Sequence, residues 1–151
     1  MLSVSEIPQG QSYLTGLNPY DQYVLARQEE IVKNMCISLG IDRRALNGEP
    51  NSLDLIDKRL AKFTVDDEFI DSNFLGIYLY LGELLKKNNG GAWKLNYIKQ
   101  DDLWELIVLD KAGNELAVGI SLYEEFENYR VQAFKDPIRS TYNRLAAIST
   151  L

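Results

Sequence analysis

"FLGIYLYLGELLKKNNGGAWKL", residues 74–95, decides the fold. Phe74 to Gly82 carries no charge and Glu83 ends it, far short of the roughly 20 apolar residues that a bilayer crossing needs. It is therefore a core segment. Ile70, Phe74, Ile77, Leu81 and Leu84 recur at helical spacing, and Tyr78 and Leu85 widen the stripe, so the spacing predicts a helix that is apolar nearly all round and deeply buried. Thr64 is expected to cap it with Asp67 as capping-box partner, and Asp66, Asp67 and Glu68 suit the positive end of its dipole. The helix should run to Lys87, and "NNGG" is its stop. Gly76 and Gly82 weaken helix propensity, which implies that neighbouring elements approach the backbone there.

From Ala92 the period changes to two. "AWKLNYI" alternates Trp93, Leu95 and Tyr97 against Lys94 and Asn96. "LWELIVLD" follows, then "KAGN" with a turn glycine at Gly113, then "ELAVGISL". Three strands with short polar connections predict an antiparallel meander. Leu116, Val118 and Ile120 are expected to share the strongly apolar face, covered by the first three helices. Ile107, Leu109, Ala117 and Gly119 would line a thinner face, left for the C-terminal segment, a second copy or a partner.

Working outward, "NPYDQYVLARQEEIVKNMCISLG" predicts a first helix with Asn18 as N-cap, Pro19 at its first position and Gly40 as its stop. Val24, Ile31, Met35 and Leu39 form its stripe. "RRALNGEP" is a polar connection with a turn at Asn47-Gly48, and "NSLDLIDKRLAKF" predicts a short second helix capped by Asn51 or Ser52, its face made by Leu53, Ile56, Leu60 and Phe63. After the sheet, Ser121 and Glu124 suggest a capping box for a helix carrying Leu122, Phe126, Tyr129 and Ala133. Asp136 and Pro137 then restart a last helix with Ile138, Tyr142, Leu145 and Ile148. The fold class is α+β: N-terminal helices packed on a three-stranded antiparallel meander, followed by one or two C-terminal helices. Residues 1–17 read as an arm and 18–151 as one domain.

With 151 residues and a mixed charged fraction of 25%, the chain is large enough to fold without staples. A net charge of -6 disfavours phosphate backbones, so no nucleic-acid partner is expected, while a basic protein partner fits. The single cysteine, Cys36, lies in a helical pattern and reads as a small buried hydrophobe. The N-terminal residues lack a signal-peptide pattern, so a cytoplasmic location is expected and no membrane.

There is no histidine. That removes the commonest general base and metal ligand, and one cysteine excludes thiolate zinc sites. No phosphate-cradling loop, dinucleotide fingerprint or nucleophile elbow is present. Carboxylate groups remain at Asp66-Asp67-Glu68 with Asp71, at Asp101-Asp102, and at Glu124-Glu125 with Glu127. The first and third sit at predicted helix starts and the second in a strand connection, so each has a structural explanation. No catalytic residue, cofactor or metal is expected. Among the aromatics, Tyr20, Tyr23, Tyr123 and Tyr129 are the candidates for surface contacts. The terminal "STL" fits only a loose C-terminal ligand pattern.

Leu75, Gly76, Tyr78, Gly82, Glu83, Gly90, Gly91 and Trp93 resemble a motif of small bacterial domains in which a helix reading LGxYLGE ends in Gly-Gly-x-Trp and enters a small sheet. Here Tyr80-Leu81 intervene before Gly82-Glu83. The similarity covers about residues 52–110 and carries no activity. Such domains occur beside polymorphic toxins and in other accessory contexts, which implies protein–protein interaction.

The expectation is a non-enzymatic protein-interaction module, of the immunity type, that neutralises a basic toxin. Its contact candidates are Tyr123, Glu124, Glu125, Glu127 and Tyr129, with Ile107 and Leu109 on the second sheet face. Two alternatives stand beside it: a small-ligand sensor or enzyme with a pocket between the buried helix and the sheet near Trp93, Tyr97 and Trp104, and a homodimeric module joined through the thin sheet face.

Overall fold

In the computed structural model the described residues are 25–98, 103–116, 118–131 and 136–149, with the side chains of 95–98, 103–105, 120, 148 and 149 outside the description. The elements are α1 (Gln28–Leu39), α2 (Leu53–Leu60), α3 (Asp67–Asn89), β1 (Ala92–Ile98), β2 (Leu103–Leu109), β3 (Glu115–Leu116), α4 (Val118–Val131) and α5 (Pro137–Ser149). Helices lead, an antiparallel β1-β2-β3 sheet occupies the middle, and helices close the chain, so the class is α+β.

The 23-residue α3 is the axis. Its cap is Asp66 and not Thr64: the Asp66 carboxylate accepts from the Phe69 amide at 2.9 Å, one of the donors that a helix start leaves orphaned. Asp67 and Glu68 then fall directly in the first turn, and Lys86 and Lys87 in the last, both matching the dipole. Gly90 ends the helix in the left-handed conformation at φ 66°. Met35 of α1 lies where a side chain on Gly76 would begin, and the Trp93 ring occupies that place at Gly82. The close approach expected of both glycines is present.

Described residues of the first predicted helix begin at Leu25, and a turn at Arg27 separates Leu25 and Ala26 from α1. The arm and the Asn18, Pro19, Tyr20, Tyr23 and Val24 assignments lie outside the described residues. Gly40 closes α1 at φ 75°, and Met35, Cys36 and Leu39 are buried. Burial pushes the Cys36 thiol up, as expected of an inert core cysteine.

Ser52 does not cap α2. A 3₁₀ turn, Pro50–Ser52, precedes the helix, and the Ser52 hydroxyl meets the Glu49 carbonyl at 2.6 Å and the Tyr80 hydroxyl at 2.5 Å. Phe63 falls beyond the helix end and is 36% exposed, leaning on Phe69 and under the Arg59 guanidinium.

The β1–β2 register pairs Trp93 with Val108 and Leu95 with Leu106, and β2 pairs Val108 with Leu116. The third strand stops after two residues, because Val118 begins a helix. Val118, Leu122 and Phe126 are all buried at i, i+4 and i+8, a helical spacing that outweighs the local alternation. The capping box at Ser121 is therefore inside α4. Gly119 belongs to that helix and Ala117 lies outside the described residues, so the four-residue second sheet face reduces to Ile107 and Leu109.

Leu106, Val108 and Leu116 join a core cluster with residues of α3, α4 and α5. The main helix contacts to β2 come from α3, the third of the helices expected there, and from α4. Pro137 stands at the start of α5 as expected, but the amides of Ile138 and Arg139 go to Asp57 of α2, at 2.9 and 3.0 Å, rather than to Asp136. Arg139 answers with its guanidinium on the Pro50 carbonyl, Asn51 and Asp54. Among the described residues no helix is long and apolar enough to cross a membrane.

Candidate functional site

Antiparallel packing of α1 on α3, with the 43–48 connection crossing one end, leaves an open cleft of about 610 Å³. Leu25, Val32, Leu46 and Leu84 form its apolar part, and Gln28, Glu29, Arg43, Asn47, Glu83 and Lys87 its polar part. The 43–48 connection is shaped first by local structure. Asn47 accepts from the Glu49 amide at 3.0 Å and Gly48 takes φ 81°, which turns the connection back toward α3. Tyr80 receives the Gly48 amide at 3.1 Å, which moors that turn to α3.

Arg43 forms a fork on Glu29 at 2.7 and 2.9 Å, donates to the Leu46 carbonyl at 2.8 Å and stands over the Tyr80 ring. Glu83 accepts from Trp93 Nε1 at 3.0 Å and Gln28 Nε2 at 3.1 Å, and pairs with Lys86 at 2.8 Å. Burial pushes the Glu83 carboxyl up, and the hydrogen bonds from Lys86, Trp93 and Gln28 outweigh it, leaving the group below its usual range. The carboxylate is thus a joint between α1, α3 and β1.

Five of the eight motif residues acquire structural roles around that joint. Gly82 admits the Trp93 ring, Glu83 holds its N–H, Gly90 supplies the left-handed cap, and a side chain on Gly91 would strike the Leu109 carbonyl. Trp93, one of the residues expected near a ligand pocket, packs against α3 at Gly82 and Glu83. The side chains of Tyr97 and Trp104 lie outside the described residues.

The expected contact residues differ in burial and in partners. Tyr123 is half-buried with its ring edge toward Phe74, and burial followed by the nearby Glu127 raises its hydroxyl. Glu124 is exposed, whereas Glu125 is only 6% exposed and lies 3.8 Å from Arg144. Glu127 pairs with Arg130, which also holds Asp67 at 2.8 Å. Tyr129 is half-buried beside a smaller 330 Å³ hollow with Thr64 and Val65. Ile107 is buried and Leu109 half-buried on β2.

Asp66 is spent as a cap and Asp67 on Arg130, so the first carboxylate group is dispersed. Asp101-Asp102 and the terminal "STL" lie outside the described residues. Among the described residues no group of three or more acidic or cysteine side chains could hold a metal ion. The cleft itself was not visible in the sequence. Its one local signal was the Asn47-Gly48 turn, and Tyr80, which interrupts the motif spacing, is the residue that receives it.

The fold and site define an α+β protein with a mixed apolar and polar cleft between two of its helices. No protein-family model, curated protein or solved structure matches the chain.

Proposed function

We propose that the chain is a non-enzymatic binding protein that recognises its partner through the cleft between α1 and α3. The observation that carries this is the state of the charges around it. Glu29 is neutralised by Arg43, and Glu83 by Lys86 with two further donors, so the cleft offers an apolar floor with a fixed polar rim rather than a poised acid or base. That is the anatomy of a recognition surface.

The partner best matched to the whole chain is a protein, and the net charge of -6 favours a basic one. An immunity-type role, neutralising a basic toxin encoded beside this chain, joins that charge to the resemblance of residues 75–93. The test is co-purification with the neighbouring gene product, followed by deletion of this gene beside an intact toxin gene. Loss of viability is expected, and unchanged growth would overturn the immunity role. A second reading, a small-ligand sensor, draws on the cleft volume of about 610 Å³, which falls within the usual range of ligand sites.

A further inference from the structure

We infer that the chain self-associates into a two-fold dimer through the free edge of β1, with Leu95 on the two-fold axis. This goes beyond the cleft reading and does not depend on it. The sheet order β1-β2-β3 makes Ala92–Ile98 an edge strand, and among the described residues no strand lies on its outer side. Its register with β2 runs unbroken over all seven residues, without a bulge or a proline to blunt the edge. Its one charge, Lys94, is already paired with Glu115 at 4.0 Å.

Hydrogen bonding at the far end of the sheet fixes which backbone groups this edge leaves open. The Asp110 amide donates to the Asn114 carbonyl at 2.9 Å, toward β3, so by alternation the Leu109 amide and carbonyl turn toward β1. That carbonyl is the group that a side chain on Gly91, just before β1, would strike. Leu109 pairs with Ala92, and the same alternation turns Lys94, Asn96 and Ile98 inward to β2. Trp93, Leu95 and Tyr97 therefore present their amides and carbonyls outward, with no strand among the described residues to meet them.

That outward set is symmetric about Leu95. An antiparallel second copy of β1 centred there sets Leu95 against the partner's Leu95 and Trp93 against the partner's Tyr97, so every outward amide meets a carbonyl. The same register places Lys94 opposite the partner's Asn96, and no like charges face each other. Centring on Lys94 would oppose two lysines, and centring on Asn96 would leave Trp93 beyond the end of the partner strand. Because the edge pairs with its own copy, the assembly closes as a dimer instead of growing.

The test is sedimentation of the full chain from low micromolar to near-millimolar concentration, with hydrogen exchange followed amide by amide. Salt at about 0.15 M screens the repulsion between two chains of net charge -6. A reversible monomer–dimer equilibrium is expected, in which the amides of Trp93, Leu95 and Tyr97 gain protection as the dimer forms. Those of Lys94 and Asn96, bonded within the chain, should be protected at every concentration. Asn96→Lys sets a lysine against the partner's Lys94 while facing Glu105 of its own chain, so it should weaken the dimer about tenfold with the fold kept. Adding Lys94→Gln should restore the affinity. A monomer at all concentrations would overturn the inference, and so would edge amides already protected in the monomer. A dimer that leaves those amides unprotected, or that Asn96→Lys does not weaken, would place the interface elsewhere and overturn it. Growth past twice the mass of one chain would mean head-to-tail pairing and overturn the two-fold arrangement, whereas the cleft reading stands or falls on co-purification.

Discussion

The six-membered ring of Trp93 stands in the place that a side chain on Gly82 would occupy, and the indole N–H of the same Trp93 donates to Glu83, the next residue of the helix. One turn-and-return of the chain thereby fixes the end of α3 against the first strand. The glycine costs helix propensity of about 1 kcal/mol relative to alanine, and the aromatic contact offsets it.

Gly82→Ala should therefore destabilise the protein despite better helix propensity. Forcing a methyl into the Trp93 ring is an overpacking change of about 1–3 kcal/mol, and Gly91→Ala should cost more, since it meets the Leu109 backbone carbonyl, which cannot rotate away. Urea unfolding measures both. A Gly82→Ala variant as stable as the parent would show that the ring moves freely.

Glu83→Gln should flatten part of the acid limb of stability. The carboxyl is held below its ordinary value of 4.5, so its contribution is present above that value and lost as pH falls through the lower folded value. Unfolding curves of Glu83→Gln and the parent should converge toward acid pH. Curves that stay parallel would remove Glu83 from the linkage.

Asp57 has the opposite sign. Burial pushes it up from 3.8 to about 6, although the Arg139 and Ile138 amides favour its ionised form. Between those values the folded protein binds more protons than the unfolded one, so this group's contribution to stability falls as pH rises from about 4 to 6 and the parent gains on acidification. Relative to Asp57→Asn, the parent should gain up to about 3 kcal/mol between neutral pH and pH near 4, at about 1.4 kcal/mol per pH unit of difference. Thermal unfolding of the pair across that window checks it, and a constant difference would refute it.

Arg43→Lys should loosen the cleft wall. Lysine keeps the charge but cannot fork onto Glu29 while also reaching the Leu46 carbonyl, so a loss of about 1 kcal/mol is expected, with faster hydrogen exchange at Leu46 and Gly48. Unchanged exchange there would mean that Tyr80 alone holds the turn.

Local stereochemistry made much of this fold legible in the sequence. Gly40 and Gly90 close helices because the left-handed conformation admits glycine without a Cβ clash, Pro137 opens α5 because its fixed φ suits a first turn, and the bounds of β1 follow from alternation beginning right after a helix stop. Each of these is decided within a few residues.

Tertiary structure decided what local signals left degenerate. "ELAVGISL" fits both periods through the shared Val118, and burial of Leu122 and Phe126 in the common core selects the helix. Asp66 and Thr64 are both competent caps, and only the packed position of α3 chooses the aspartate. The start of α5 is capped by Asp57, 81 residues earlier in the chain, a partner that no local pattern could supply. The cleft arises in the same way, since Gln28, Arg43, Tyr80 and Lys87 share no motif and meet only because α1 lies antiparallel on α3. The sequence by itself determined where helices end and the sheet begins, because those are properties of the backbone at single residues. Which faces meet, and what remains open between them, depended on packing, a property of the whole chain.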